Sequence, residues 1–85
     1  MKNVIIYTTN ACPYCVKAKS LLDQKGVEYK ELRVDENPEL AVEARRKSGG
    51  RKTVPQIFIN DYHVGGCDEL YALNQENKLD TLLED

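Results

Sequence analysis

Val4, Ile5, Ile6 and Tyr7 form a short unbroken apolar run rich in β-branched residues. That is the pattern of a strand buried on both faces. Residues 8–11 are more polar and read as a loop. From Cys12 the period changes: Cys15, Ala18 and Leu22 recur at i, i+3 and i+7 with Leu21 beside them, while Lys17, Lys19, Asp23 and Gln24 take the other faces. An amphipathic helix is expected there, with Pro13 in its first turn and Gly26 at its stop. Residues 27–34 read as a second strand. Their alternation (Val27 and Tyr29, then Leu32 and Val34) slips by one residue, which predicts an edge strand with a bulge.

Asn37-Pro38 is a helix-start signal and Gly49-Gly50 a stop. Between them Glu39 and Glu43 lie early and Arg45, Arg46 and Lys47 late, the order that complements a helix dipole. Residues 56–60 and 62–65 predict a hairpin turning at Asn60-Asp61. After Gly65-Gly66, Asp68 is suited to cap a short helix carrying Leu70, Tyr71 and Leu73; Leu79, Leu82 and Leu83 suggest a final helix. The order β-α-β-α-β-β-α implies a parallel first strand pair with a right-handed crossover, then an antiparallel hairpin. The expected fold is α/β, a four-stranded mixed sheet with helices on both faces.

Composition narrows the function more than the fold. The 85 residues suffice for one domain, 1–85, with a modest core. Hydrophobic residues make up 41% and charged residues 31%, within the ordinary globular range. A net charge of −2 points to neither a nucleic-acid nor a membrane partner. No stretch approaches the roughly 20 apolar residues of a membrane span, and no secretory pattern is present. A cytoplasmic location is expected. In such a reducing compartment three cysteines, two of them as Cys-x-x-Cys, suggest catalysis or metal binding rather than a structural framework.

Cys12-Pro13-Tyr14-Cys15 stands at the expected strand-to-helix junction. The first turn of a helix has unpaired N–H groups and the positive end of the dipole, and both favour a thiolate. A free cysteine, with a pKa of about 8.5, is only ~3% thiolate at neutral pH. Moving the pKa to near 6 takes about 3.4 kcal/mol. Cys12, at the helix start, is expected to be the more exposed sulfur and the nucleophile, with Cys15 below it as the resolving thiol. A zinc site completed by His63 and Cys67 is the alternative.

Three segments together, Cys12-Pro13-Tyr14-Cys15, Thr53-Val54-Pro55 and Gly65-Gly66-Cys67-Asp68, resemble the glutaredoxin family, in particular its small dithiol bacterial type. The resemblance covers essentially the whole chain. It implies a thioredoxin-like fold and a glutathione-dependent reductase of protein disulfides and protein–glutathione mixed disulfides. Cys12 and Cys15 would form the redox-active disulfide. Glutathione would be a cosubstrate, with no tightly bound cofactor or metal.

The resemblance also implies site roles. Pro55 would be a cis proline, leaving the Val54 backbone to pair with the cysteinyl backbone of glutathione. Gly66 would permit close approach, and the Cys67 and Asp68 N–H groups would hold the γ-glutamyl carboxylate. The Asp68 carboxylate would take the γ-glutamyl ammonium, and Asp68 would also cap its helix. Arg51, just before Thr53, is assigned to the glycine carboxylate, and Tyr14 would flank the mixed disulfide. Lys52 and residues 45–47 read as a solvated face that raises the positive potential. His63 reads as a partly exposed hairpin residue and Cys67 as dispensable.

One position departs from the family pattern. Where many members carry a lysine, three residues before the first cysteine, this chain has Thr9. The expected consequence is a less depressed Cys12 pKa, supported by the helix dipole, Arg51 and Lys17. Expected partners are glutathione and disulfide-containing or glutathionylated proteins, with ribonucleotide reductase a family-level example, and the chain is expected to act as a monomer. Reduction by a flavoprotein, or a bridged iron–sulfur cluster, are the competing readings.

Overall fold

A computed structural model of the chain describes residues 3–84, so the outermost residues of the expected 1–85 domain lie outside it. Strand β1 (Val4–Thr8) is followed by helix α1 (Pro13–Gln24), strand β2 (Lys30–Arg33) and helix α2 (Pro38–Lys47). Strands β3 (Gln56–Ile59) and β4 (Tyr62–Gly65) then precede helices α3 (Cys67–Gln75) and α4 (Leu79–Leu83). The sheet order is β2-β1-β3-β4. β1 pairs parallel with β2, from Ile5↔Lys30 to Thr8↔Arg33, and antiparallel with β3, from Val4↔Ile59 to Tyr7↔Gln56.

The local signals explain most boundaries. α1 begins with Pro13 at its first position, where a missing N–H costs nothing, and the chain turns at Gly26 with φ +70°. α2 begins where Asn37 Oδ1 accepts the Glu39 N–H at 3.0 Å. The β3–β4 hairpin turns through Asn60 and Asp61, both at positive φ (49° and 67°), as a tight hairpin requires.

Two cores lie on opposite faces of the sheet. On one, Val4, Ile6, Ile57 and Ile59 meet Ala18, Leu21 and Leu22 of α1, Leu70 of α3 and Leu79 of α4. On the other, Tyr7 and Phe58 meet Ala44 of α2. Burying one such large apolar side chain contributes about 1.5–3 kcal/mol.

The second strand differs from expectation. Only residues 30–33 pair, and β2 carries no bulge. Its alternation does not slip. Val27 and Tyr29 pack on the α1 side, while Leu32 and Val34 pack on the α2 side. Odd and even positions face opposite ways in an extended chain, so one edge segment feeds both cores. The irregularity lies instead between β3 and β4, where Ile57 pairs with Gly65 but Phe58 with His63.

Candidate active site

The end of β1, the loop 9–11 and the start of α1 deliver Cys12. It is the cap residue of α1, half-buried, and its Sγ accepts the Cys15 N–H at 3.1 Å. Cys15 is 1% exposed and forms a disulfide with Cys12 across 5.2 Å between Cα atoms. The expected order, an outer sulfur at Cys12 and an inner one at Cys15, is the observed one. No acidic side chain stands in the first turn of α1 to oppose a thiolate.

Beside the disulfide lies an open groove of about 280 Å³ lined by Tyr14, Arg51, Thr53, Val54, Pro55, Gly66, Cys67, Asp68 and Glu69. Every residue expected to meet glutathione lines it. The Val54-Pro55 bond is cis, and the Val54 carbonyl oxygen lies 4.0 Å from Cys12 Sγ. Tyr14 is 61% exposed at one edge.

Behind Thr53, the fully buried Gln56 donates to the Thr53 carbonyl at 2.9 Å and to Thr53 Oγ1 at 3.3 Å. Its Oε1 meets His63 Nε2 at 2.7 Å. With its amide nitrogen donating, Gln56 must accept at that oxygen, so His63 carries its proton on Nε2. His63 stacks on Phe58, and burial followed by the Arg51 charge lowers its pKa. It therefore holds Gln56 and does not join the cysteines. Among the described residues no three His, Cys, Asp or Glu side chains converge as a metal site.

The start of α3 corrects the expected cap. The cap residue is Gly66, and Cys67 and Asp68 already lie inside the helix. Glu69 reaches back to accept the Gly66 N–H at 2.6 Å and pairs with Arg51 Nη1 at 3.1 Å. A longer side chain one turn in reaches the cap amide, which an Asp within the helix cannot. The Gly66 N–H, then Arg51, holds the Glu69 carboxyl below the usual range against the opposing effect of burial. Arg51 is thus already paired, and a ligand carboxylate there must share its guanidinium with Glu69.

The two glycines play different parts. Gly65 has φ +115°, and a Cβ there would sit 2.5 Å from Glu69 Oε1. Gly66 has an ordinary φ of −96°; a Cβ would lie 3.4 Å from the Pro55 carbonyl oxygen. Cys67 is 5% exposed, and burial pushes its thiol up, opposed by Lys17 and reinforced by Asp68 and Glu69. Lys17, expected to support the thiolate, has its amine 4.9 Å above the Tyr71 ring.

Sequence reasoning missed Glu69, Gln56 and Asp35. The spacing of Glu69 from Gly66 was a usable signal, since a carboxylate three residues after a cap completes a capping box. Gln56 and Asp35 carry no comparable motif, because one partner of each comes from another part of the fold: His63 for Gln56, and for Asp35 the Asn10 N–H, which its carboxylate accepts at 3.1 Å.

Comparison with known proteins follows the same features. The family model described as Glutaredoxin matches residues 4–64. The chain is 54% identical to Glutaredoxin 3 of Escherichia coli over 84 residues, 99% of this chain and all of that one. The solution structure of a glutaredoxin from Brucella melitensis, 57% identical, superposes with a TM-score of 0.85 over 98% of this chain and 89% of that one. A buckwheat glutaredoxin–glutathione complex, 28% identical, superposes with a TM-score of 0.87 over 96% of this chain and 76% of that one. The architecture is the thioredoxin-like fold.

Proposed function

Because the chain belongs to the glutaredoxin family, we propose that it is a glutathione-dependent reductase of protein disulfides and protein–glutathione mixed disulfides, with Cys12 as nucleophile. The observation that carries this reading is the position of the Cys12–Cys15 pair. It opens α1 beside a groove lined by Tyr14, Thr53, Val54, Pro55, Gly66, Cys67 and Asp68.

In the first reaction the Cys12 thiolate attacks the glutathione sulfur of a mixed disulfide. The S–S bond breaks, the target leaves as a thiolate, and Cys12 carries the glutathionyl group. A second glutathione thiolate attacks that group, releasing Cys12 and glutathione disulfide. In the second reaction Cys12 attacks a protein disulfide, and Cys15 attacks the Cys12 sulfur to free the target's remaining thiol. Two glutathiones then reduce the Cys12–Cys15 bond, so two electrons pass to the target in either case.

The Cys15 N–H aimed at Cys12 Sγ supports the thiolate. In this reading the glutathione backbone lies along Val54, its γ-glutamyl end at the start of α3. Asp68, exposed and unpaired among the described residues, faces the ammonium. Arg51 takes the glycine carboxylate. A cytoplasmic, monomeric single-domain protein acting on proteins such as ribonucleotide reductase belongs to the same proposal.

A coupled assay tests it, with glutathione, glutathione reductase, NADPH and a small glutathione-forming disulfide. Turnover that requires glutathione is the expected result. Turnover supported only by a flavoprotein thioredoxin reductase would replace glutathione as the electron source. A Cys15→Ser variant is expected to keep at least about half of the deglutathionylation and to lose most protein-disulfide reduction, since only the second needs the resolving thiol. Loss of both together would remove the division of labour.

A further inference from the structure

Residues 9–11 must carry the chain from β1 to Cys12. Within them Ala11 adopts φ +55°, the left-handed region that is unfavourable for a residue with a Cβ. Such a conformation persists where its surroundings hold it. The hold here comes from across the sheet edge. The Asn10 N–H donates to Asp35 Oδ2 at 3.1 Å. Asp35 is itself gripped by Arg33, whose Nε donates to Oδ1 at 2.9 Å and Nη2 to Oδ2 at 2.7 Å. This is the two-pronged guanidinium–carboxylate geometry that restricts both partners.

The grip is anchored in the sheet. Arg33 ends β2, and the Val34 N–H donates to the Thr8 carbonyl at 2.9 Å, extending the β1–β2 pairing to the loop. On the other side of Ala11, Cys12 Sγ receives the Cys15 N–H. One carboxylate thus sets the residue before the strained turn, and the reactive sulfur follows it. The Arg33 and Asn10 bonds bring the Asp35 carboxyl to a pKa of about 2, so it is ionised throughout the range in which a thiolate works.

We propose that Asp35 is a positioning residue for Cys12. By clasping the Asn10 amide it holds the left-handed turn at Ala11 and so keeps Cys12 Sγ aligned with the Cys15 N–H. Asp35 lines no part of the groove. The inference rests on Cys12 as the nucleophile but not on glutathione as the reductant.

The test compares Asp35→Ala and Asp35→Asn with the unaltered chain, all reduced and checked for fold by circular dichroism. The readout is the pH dependence of Cys12 alkylation by iodoacetamide, followed by mass spectrometry. In Asp35→Ala the thiolate pKa is expected to rise, slowing alkylation near pH 6 about three- to tenfold while the alkaline plateau changes less than about twofold. In Asp35→Asn the side-chain amide oxygen can still accept the Asn10 N–H, so this variant is expected to stay within about twofold of the unaltered chain at both ends. A folded Asp35→Ala with an unchanged profile overturns the proposal. So does an Asp35→Asn as slow as the alanine variant, which would assign the effect to the Arg33 pair. Alkylation needs no glutathione, so a failed coupled assay leaves this result standing.

Discussion

Two helices of this protein begin beside a cysteine, and only one of those cysteines is placed to react. At α1 the cysteine is the cap itself, outside the helix, half-buried, with its sulfur taking the Cys15 N–H. At α3 the cap is Gly66, and Cys67 is the first residue within the helix, turned into the core. The first turn of α1 carries no acid, whereas that of α3 carries Asp68 and Glu69. At α1 an N–H of the first turn, that of Cys15, goes to the sulfur, whereas at α3 the Glu69 carboxylate takes the Gly66 amide and no sulfur is involved. A helix dipole alone therefore does not make a nucleophile. Position relative to the cap decides whether the sulfur meets the N–H groups or the core, and neighbouring charge decides the sign of what remains.

Exchanging the two thiols one at a time gives the largest contrast. Cys12→Ser is expected to lower coupled turnover by about a thousandfold or more, since a hydroxyl does not supply the thiolate. Cys67→Ser is expected to stay within about twofold, because a raised pKa leaves that thiol out of exchange at neutral pH. A loss at Cys67 comparable with that at Cys12 would break the comparison.

Gly65→Ala attacks the α3 cap directly. The alanine would have to hold φ +115° with its Cβ 2.5 Å from Glu69 Oε1 and 3.0 Å from Glu69 Cγ. Chemical denaturation is expected to show a loss of about 1–3 kcal/mol. Gly26→Ala, at φ +70° with open space around the Cβ position, serves as the strain-only comparison and is expected to lose less.

The smallest expected effect is a difference in acid response. The folded-state pKa of Glu69 is depressed, so its contribution to stability is complete above the unfolded carboxyl value of about 4.3. That contribution is lost as the pH falls through the lower folded value. Solvent screening keeps it small, since the Glu69 side chain is 46% exposed. The Gly66 amide proton resonance is expected to titrate with a midpoint below about 4.3, while the Cys15 amide, bonded to sulfur, shows no such step. A shared midpoint at the two amides would mean that the caps do not act separately.

Periodicity and punctuation were enough to read the element order, because they act over a few residues. The apolar run at Val4, the Cys15–Leu22 stripe, Asn37-Pro38 and Asn60-Asp61 each specify their own neighbourhood. The three motifs likewise led to the groove, and all of their residues except Pro13 and Gly65 line it or supply the sulfurs beside it. Two further features depended on the tertiary structure, and one, the α3 cap, on local helix geometry. The edge segment looked slipped because a chain serving two cores shows two apolar phases, and the second core is visible only once α2 is packed. The α3 cap passed from Asp68 to Glu69 because reach, set by side-chain length and helix geometry, decides which carboxylate meets the Gly66 amide. Asp35, Gln56 and the Arg51–Glu69 pair act on partners 25, 3 to 7 and 18 residues away. The two longer pairings have no sequence period, because folding rather than chain continuity brings those groups within hydrogen-bonding distance.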